Sequence, residues 1–151
     1  MSGKASRHIR PPEDLGKNVI YSGKSDKEFG GRGFVRRVRT SGMEWSPGHD
    51  SDNLSRIRDF SEQDCAVKVL SENPHTGAQT ILMRFDPGYQ ETKPTRSKFP
   101  WEMFALEGSC SIGNSVVPTS GYECVPKDHI VDPISSDEGA VVFLMSGFPV
   151  C

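Results

Sequence analysis

Between residues 80 and 147, short strand-like segments alternate with turns, and this rhythm constrains the fold more than any other feature of the sequence. Turn residues such as Pro87-Gly88 and Gly147 punctuate the stretch. Because short strands at regular spacing bury their apolar faces only against one another, the pattern predicts a β-sandwich or β-barrel. The predicted strands lie at about 80–86, 101–107, 109–113, 121–125, 128–132 and 139–146.

The composition favours the same class of fold. The 151 residues include 15 glycines and 11 prolines, and 34% of the residues are hydrophobic. This balance is typical of a turn-rich β protein rather than a helix bundle, and the length suits one domain. The formal net charge is −2, so no global charge attracts nucleic acid or an anionic membrane.

The four cysteines show no C-x-x-C spacing and are too few for a disulfide scaffold of this length. We interpret them as reduced thiols. The N-terminus lacks the apolar segment of a secretory signal, and no apolar run approaches the roughly 18 residues of a membrane-spanning helix. We therefore expect a cytoplasmic protein that binds neither nucleic acid nor membrane.

The first 64 residues follow a less regular pattern. Residues 1–14 are basic and interrupted by proline, which indicates either a mobile arm or a strand lent to a neighbouring subunit. Residues 15–64 are predicted to be an extension whose short strands, at about 18–21 and 34–39, pack on a domain formed by residues 65–151. Gly30-Gly31-Arg32-Gly33 lacks the P-loop pattern, so it does not indicate a phosphate site.

Two further local features precede the regular strands. Residues 54–62 carry a helical pattern that is long enough for only one or two turns. Residues 66–70 and 80–85 are strand-like and joined by a turn rich in Asn, Pro and Gly, which predicts a β-hairpin with His75 exposed in its turn.

The spacing of the turn residues in the C-terminal half resembles that of the cupin family of small β-barrels. Pro87-Gly88-Tyr89 resembles the start of the first cupin motif, G-x5-H-x-H-x3–4-E-x6-G, and Gly108 its end. Gly121 and Pro126 resemble the second motif, G-x5-P-x-G-x2-H-x3-N, with one residue fewer between them. The resemblance covers about residues 65–148. It implies an all-β fold, a single cupin-like barrel of the jelly-roll type with an N-terminal arm and extra strands, and a homodimer, as is common in cupins.

The resemblance stops at the metal ligands. Three histidines and one glutamate bind a divalent metal ion in cupins, whereas the corresponding positions of this sequence hold neither histidine nor glutamate. We therefore predict no metal and no cofactor. Glu102 lies one residue beyond the glutamate position and His129 two residues before the last histidine position, so a displaced metal site with Asp132 is the alternative. The four ligand positions fall on Thr95, Ser97, Trp101 and Val131.

A cupin barrel without a metal still offers a cavity for one small ligand. His129 is the predicted proton carrier because imidazole titrates near neutrality, with Glu102 or Asp132 to orient it. The sequence therefore favours a metal-independent isomerase, cyclase or lyase of the decarboxylase type, acting on a flat aromatic or polyketide-like compound. A metal-dependent oxygenase with displaced ligands and a non-catalytic binding cupin are the alternatives. The candidate substrate-binding residues are Trp45, Arg84, Tyr89, Lys93, Thr95, Ser97, Trp101 and Met103.

Each of these residues also has a plainer interpretation. Trp101 is either a cavity wall or part of the core, and Glu102 lies either in the cavity or on an exposed strand face. His129 is either functional or a rim residue bonded to the backbone. Phe104 and Leu106 are expected in the core. The basic loop residues Lys93, Arg96 and Lys98 form a cluster whose plainer explanation is solvation.

Overall fold

The protein forms two compact units, residues 1–44 and 45–151. The structure, a computed structural model, describes residues 19–21, 36–48, 54, 57, 58, 65–73 and 75–148. In the first unit, β1 (Val19–Tyr21) pairs antiparallel with β2 (Arg36–Val38), which confirms both predicted strands, and Thr40–Gly42 form a 3-10 helix. The predicted arm at residues 1–14 and the glycine run at residues 30–33 lie outside the described residues.

Among the described residues of the second unit, the regular secondary structure is almost entirely antiparallel strand. Leu54 and Ile57 are helical, and the Arg58 amide donates to the Leu54 carbonyl over 3.2 Å. The helical residues described here lie within the stretch 54–62, for which the pattern predicts one or two helical turns. The all-β prediction is confirmed. The strands are β3 (Ser46–Pro47), β4 (Cys65–Glu72), β5 (Gln79–Phe85), β6 (Tyr89–Gln90), β7 (Thr95–Arg96), β8 (Trp101–Gly108), β9 (Cys110–Ile112), β10 (Ser115–Val117), β11 (Tyr122–Val125), β12 (Ile130–Val131), β13 (Ile134–Ser136) and β14 (Ala140–Ser146).

The strands of the second unit form three sheets. A six-stranded sheet has the order β11-β8-β14-β5-β4-β3, a four-stranded sheet the order β10-β9-β13-β6, and β12 pairs with β7. The predicted hairpin is confirmed as β4 and β5, with His75 exposed in its turn. The sequence did not indicate β3, β6, β7, β10 or β13, since strands of two or three residues are too short to show alternation.

Alternation along the strands of the six-stranded sheet separates a buried face from an outer face. On β8, Trp101, Met103 and Ala105 are buried while Phe104 and Leu106 are exposed, so the prediction that these last two lie in the core is wrong. The same alternation holds on β14, and on β5 except at Leu82, which is also buried. The apolar residues facing inward fill the interior of the barrel. The largest of them are Trp101, Phe85, Ile81, Met83, Met103, Ile134 and Leu144.

Gly108 closes β8 at a position that only glycine fits. Its φ is +67°, in the left-handed region, and an added Cβ would lie 2.1 Å from the carbonyl oxygen of Gly139. A side chain there would therefore meet both backbone strain and a backbone atom that does not move away easily.

The cysteines differ from the expectation of four reduced thiols. Cys65 is buried, Cys110 is a buried free thiol, and Cys124 is disulfide-bonded. The prediction is thus wrong for Cys124, and the cytoplasmic location that rested partly on it stays a prediction. Within the described part of the chain, no helix has the length and apolar character required to cross a membrane.

Candidate functional site

A charged pair is buried inside the second unit. The side chain of Arg58 is fully buried and that of Glu91 is 4% exposed. Arg58 donates to Glu91 through two nitrogens, with Nη1 2.9 Å from Oε2 and Nη2 2.5 Å from Oε1. This two-point geometry matches the planar guanidinium to the planar carboxylate. The residues are 33 positions apart in the sequence, so the pair connects the helical turn to the segment between β6 and β7.

Neutral donors and acceptors complete the surroundings of this pair. The Tyr89 hydroxyl donates to Glu91 Oε2 over 2.6 Å, and the Ile134 amide donates to Oε1 over 3.0 Å. Burial, with the Glu91 carboxylate beside it, raises the pKa of Tyr89 well above its ordinary value, so the phenol stays protonated and remains a donor. Together with the bonds from Arg58, each Glu91 oxygen thus accepts two hydrogen bonds. Arg58 Nε donates a further hydrogen bond to Thr95 Oγ1.

An open cleft of about 670 Å³ lies on the outside of the same region, and Thr95 belongs to both. Arg96 donates to Asp128 over 2.8 Å, with side chains 65% and 53% exposed, so this ion pair is a solvated one. Asp128 has a φ of +68°; aspartate tolerates this left-handed conformation better than most residues do. The cleft is lined by Lys93, Pro94, Thr95, Arg96, Lys98 and Asp128.

His129 lies beside the cleft, not inside the barrel. Its side chain is exposed, and its carbonyl accepts a hydrogen bond of 2.9 Å from the Ser97 amide. The next residue back, Asp128, donates its amide to the Ser97 carbonyl over 2.8 Å. This pair of backbone bonds holds the loop before β12 against the segment that follows β7.

Several predicted site residues lie in these two regions. Lys93 and Thr95 line the cleft. Ser97, Trp101 and Met103 are buried, and the Trp101 indole nitrogen donates to Ser97 Oγ over 3.0 Å. Trp101 and Met103 belong to the apolar core, so the interpretation of Trp101 as a core residue is the one that holds.

The predicted catalytic residues do not come together. Glu102 points to the outer face of the six-stranded sheet, where its carboxylate accepts a 2.7 Å hydrogen bond from the Tyr122 hydroxyl. That bond raises the pKa of Tyr122. Asp132 is exposed, next to Gly113 on the other sheet. The prediction that Glu102 turns into the barrel to orient His129 is therefore wrong, because strand alternation places Trp101 and Met103 inward instead.

Two predicted substrate-binding residues also lie on the outer face. The Trp45 ring packs under two cations, with Lys68 Nζ 4.5 Å and Arg84 Cζ 4.8 Å from its centroid. Arg84 also donates to Asp86 over 3.1 Å. These are cation–π contacts on the side of the sheet opposite the core. Trp45 and Arg84 therefore do not line a cavity in the barrel, in contrast to the prediction.

Solved structures of known fold resemble this arrangement of strands. The cupin domain of Cnp3 from Schizosaccharomyces pombe matches with a TM-score of 0.55 over 89% of this chain and 90% of its own, at 11% identity. The chain has a cupin fold. An acetylacetone dioxygenase from Acinetobacter johnsonii matches with a TM-score of 0.57 over 75% of this chain and 74% of its own, at 13% identity.

A candidate dioxygenase from Nostoc punctiforme matches this cupin fold with a TM-score of 0.62 at 16% identity. The match covers 75% of this chain but 36% of that protein, so the chain spans about a third of its length. The sequence itself matches no protein-family model and no curated protein.

The positions predicted to correspond to the cupin metal ligands are adjacent in the fold. Thr95 is the register partner of Val131 on β12, and Trp101 donates to Ser97. Within the described residues, no group of three or more His, Cys, Asp or Glu side chains could hold a metal ion. A hydroxyl pair, an indole and an isopropyl group are poor ligands for the metals of cupins. Since the Arg58 guanidinium also points at Thr95, the residues present do not fit a divalent cation.

Reasoning from the sequence missed Arg58 and Glu91. The only local signal for Arg58 was its place next to Leu54 and Ile57 in the short helical pattern. Glu91 shares the alternation of Tyr89, since residues two apart on an extended segment point the same way. Nothing in either segment indicated that the two would meet across 33 positions.

Proposed function

We propose that this cupin binds a small organic anion in the open cleft beside β7, without a metal ion. The observation that carries the proposal is the lining of the cleft. Three cationic side chains, Lys93, Arg96 and Lys98, face it together with one carboxylate, that of Asp128. Clustered cations in a concave surface attract and orient carboxylate or phosphate groups. The size of the cleft also suits a small molecule.

The filled interior of the barrel supports this location. Large apolar side chains and the Arg58–Glu91 pair occupy the interior, whereas the outer cleft is open and lined by polar groups. Thr95 connects the interior and the cleft, because its hydroxyl accepts a hydrogen bond from buried Arg58 and the residue also lines the cleft. The name of one structural neighbour refers to acetylacetone, a small diketone, which agrees with a small oxygen-rich organic molecule as the class of ligand.

Proton transfer at the cleft is a second candidate function, and the position of His129 favours it. The imidazole is exposed and follows directly after Asp128, whose carboxylate lines the cleft. An imidazole at that rim could carry a proton to or from a bound anion, while Lys93 or Lys98 stabilises the developing negative charge. The reactions that require no more than this are isomerisation, cyclisation and decarboxylation.

Binding is tested with a panel of small carboxylates and phosphates, measured by thermal shift and then by calorimetry. Replacing both Lys93 and Lys98 by Gln is expected to weaken the best ligand about tenfold or more, because two charge-assisted contacts are lost. Lys127→Gln is the matched control, since Lys127 is exposed nearby but does not line the cleft. A ligand whose affinity is unchanged in the double variant does not use this cleft.

Catalysis is tested separately with the ligand found in this way. If His129 carries the proton, His129→Ala lowers turnover by about 10²-fold or more while binding stays within a few fold. A bound ligand with no turnover supports a binding protein, and turnover that is unchanged by His129→Ala removes this residue from the reaction. Stoichiometric iron, nickel or zinc in the purified full-length protein would contradict the metal-independent part of the proposal.

A further inference from the structure

We propose that Arg58 is a built-in cation that takes the place of a metal ion in this barrel. The proposal does not depend on what binds in the outer cleft. It concerns the oxygen atoms inside the barrel that surround the buried pair: those of the Glu91 carboxylate, the Tyr89 hydroxyl and the Thr95 hydroxyl.

Oxygen atoms coordinate the Arg58 guanidinium on every side that can donate. All three of its nitrogens have oxygen partners: Nη1 and Nη2 bond to Glu91, and Nε bonds to Thr95 Oγ1. The side chain is fully buried, so solvent does not share in neutralising its charge. A buried charge is stable only with a counter-charge and hydrogen bonds. Arg58 and Glu91 each supply the counter-charge and the hydrogen bonds that the other requires. A neutral residue at either position would leave the remaining charge buried without a counter-charge.

The guanidinium also points at the positions predicted for the cupin ligands. Thr95 lies at a position predicted for a cupin ligand, and its register partner Val131 lies at another. The positive charge of the site is thus carried by a side chain of the helical turn, 37 residues before Thr95 in the sequence. A second positive charge entering from solvent would be repelled at short range in a medium of low dielectric constant. The guanidinium therefore both fills the site and excludes a metal ion from it.

Arg58 also connects separate elements of the fold. Glu91 accepts from the Ile134 amide at the start of β13, and Tyr89 belongs to β6. The guanidinium thereby connects the four-stranded sheet, the strand β7 and the helical turn through one centre. A structural metal ion performs the same task by gathering ligands that are distant in the sequence.

The experiment restores the cation from solvent. Arg58→Ala leaves a cavity with the oxygen donors in place, and free guanidinium chloride is then titrated at low millimolar concentration, far below that which unfolds proteins. The expected result is a rise in the melting temperature of roughly 3–6 °C at about ten times the dissociation constant, relative to equal sodium chloride. The wild-type protein is expected to show no such rise, because Arg58 already occupies the site.

The double variant Arg58→Ala with Glu91→Ala is the decisive control, since it lacks the counter-charge. It should show no rise with guanidinium. If the single variant fails to fold unaided, the same titration is followed as recovery of the fluorescence of buried Trp101. No response of the single variant to guanidinium, or an equal response of the double variant, overturns the proposal.

Discussion

Exchanging Glu91 for Gln is expected to have opposite effects on stability in two backgrounds. Beside Arg58, the exchange removes the negative charge that a fully buried guanidinium requires. A hydrogen bond to a charged group contributes about 1.5–3 kcal/mol, so Glu91→Gln should lower the free energy of unfolding by about that amount. Glutamine keeps one acceptor oxygen, so it can still accept from either Tyr89 or Ile134, which bond to different oxygens of Glu91.

In the Arg58→Met background the same exchange should stabilise the protein. Arg58→Met alone leaves the Glu91 carboxylate buried without its counter-charge, and breaking a buried pair in this way costs about 3–5 kcal/mol. That corresponds to a fall in melting temperature of about 6–20 °C for a chain of this length. Glu91→Gln then removes the uncompensated charge, and about 1–3 kcal/mol should return.

The four proteins are compared by urea unfolding followed by tryptophan fluorescence, and the coupling free energy comes from the double-mutant cycle. Arg96→Met is the matched control, because the Arg96–Asp128 pair is solvated and should contribute less than about 1 kcal/mol. If Glu91→Gln destabilises both backgrounds, or if Arg58→Met costs no more than Arg96→Met, the buried pair does not act as described.

Other parts of the fold give further predictions. Gly108→Ala should cost about 2 kcal/mol or more, whereas Gly88→Ala, which has a positive φ but open space, should cost only the strain of about 1–2 kcal/mol; equal unfolding free energies would contradict the steric argument. Burial, with Glu123 nearby, raises the pKa of Cys110 from 9.0 to about 11. The stabilisation that comes from burying the protonated Cys110 thiol is therefore fully present below pH 9 and lost as the pH rises towards 11. In urea unfolding measured across that pH range, the wild-type protein should lose more stability than Cys110→Ala. Asp128→Gly should keep or raise the melting temperature, and Asp128→Ala should lower it, because φ at this position is positive; the reverse order would refute the strain. The predicted homodimer is checked by light scattering on the full chain, where the mass of a single chain contradicts it.

Most of the strands along residues 65–148 were readable from the sequence because turns and alternation are local, whereas β6, β7, β10 and β13 were not. Pro87-Gly88 ends one strand, and Gly108 closes another where only glycine fits. The hairpin of β4 and β5 follows from two neighbouring segments and the turn between them. Such features depend on residues a few positions apart, and the cupin resemblance rested on the same spacing.

The inward or outward face of a residue was less accessible from the sequence. Glu102 and Trp101 are neighbours, and a shift of one residue in register exchanges their faces. The pairing of β8 with β14 and β11 fixed Trp101 inside and Glu102 outside. Local pattern alone left both interpretations open, because each of the two residues suits either a cavity or a strand face.

The sequence by itself thus determined a β-barrel with cupin-like punctuation and residues poorly suited to bind the usual metal ion. Only the tertiary structure decided what occupies that place, because Arg58 meets Glu91 and Thr95 across 33 and 37 positions. No periodicity connects residues so far apart. Their contact exists because closing the barrel brings a helical turn over its interior, where a buried carboxylate requires a positive charge.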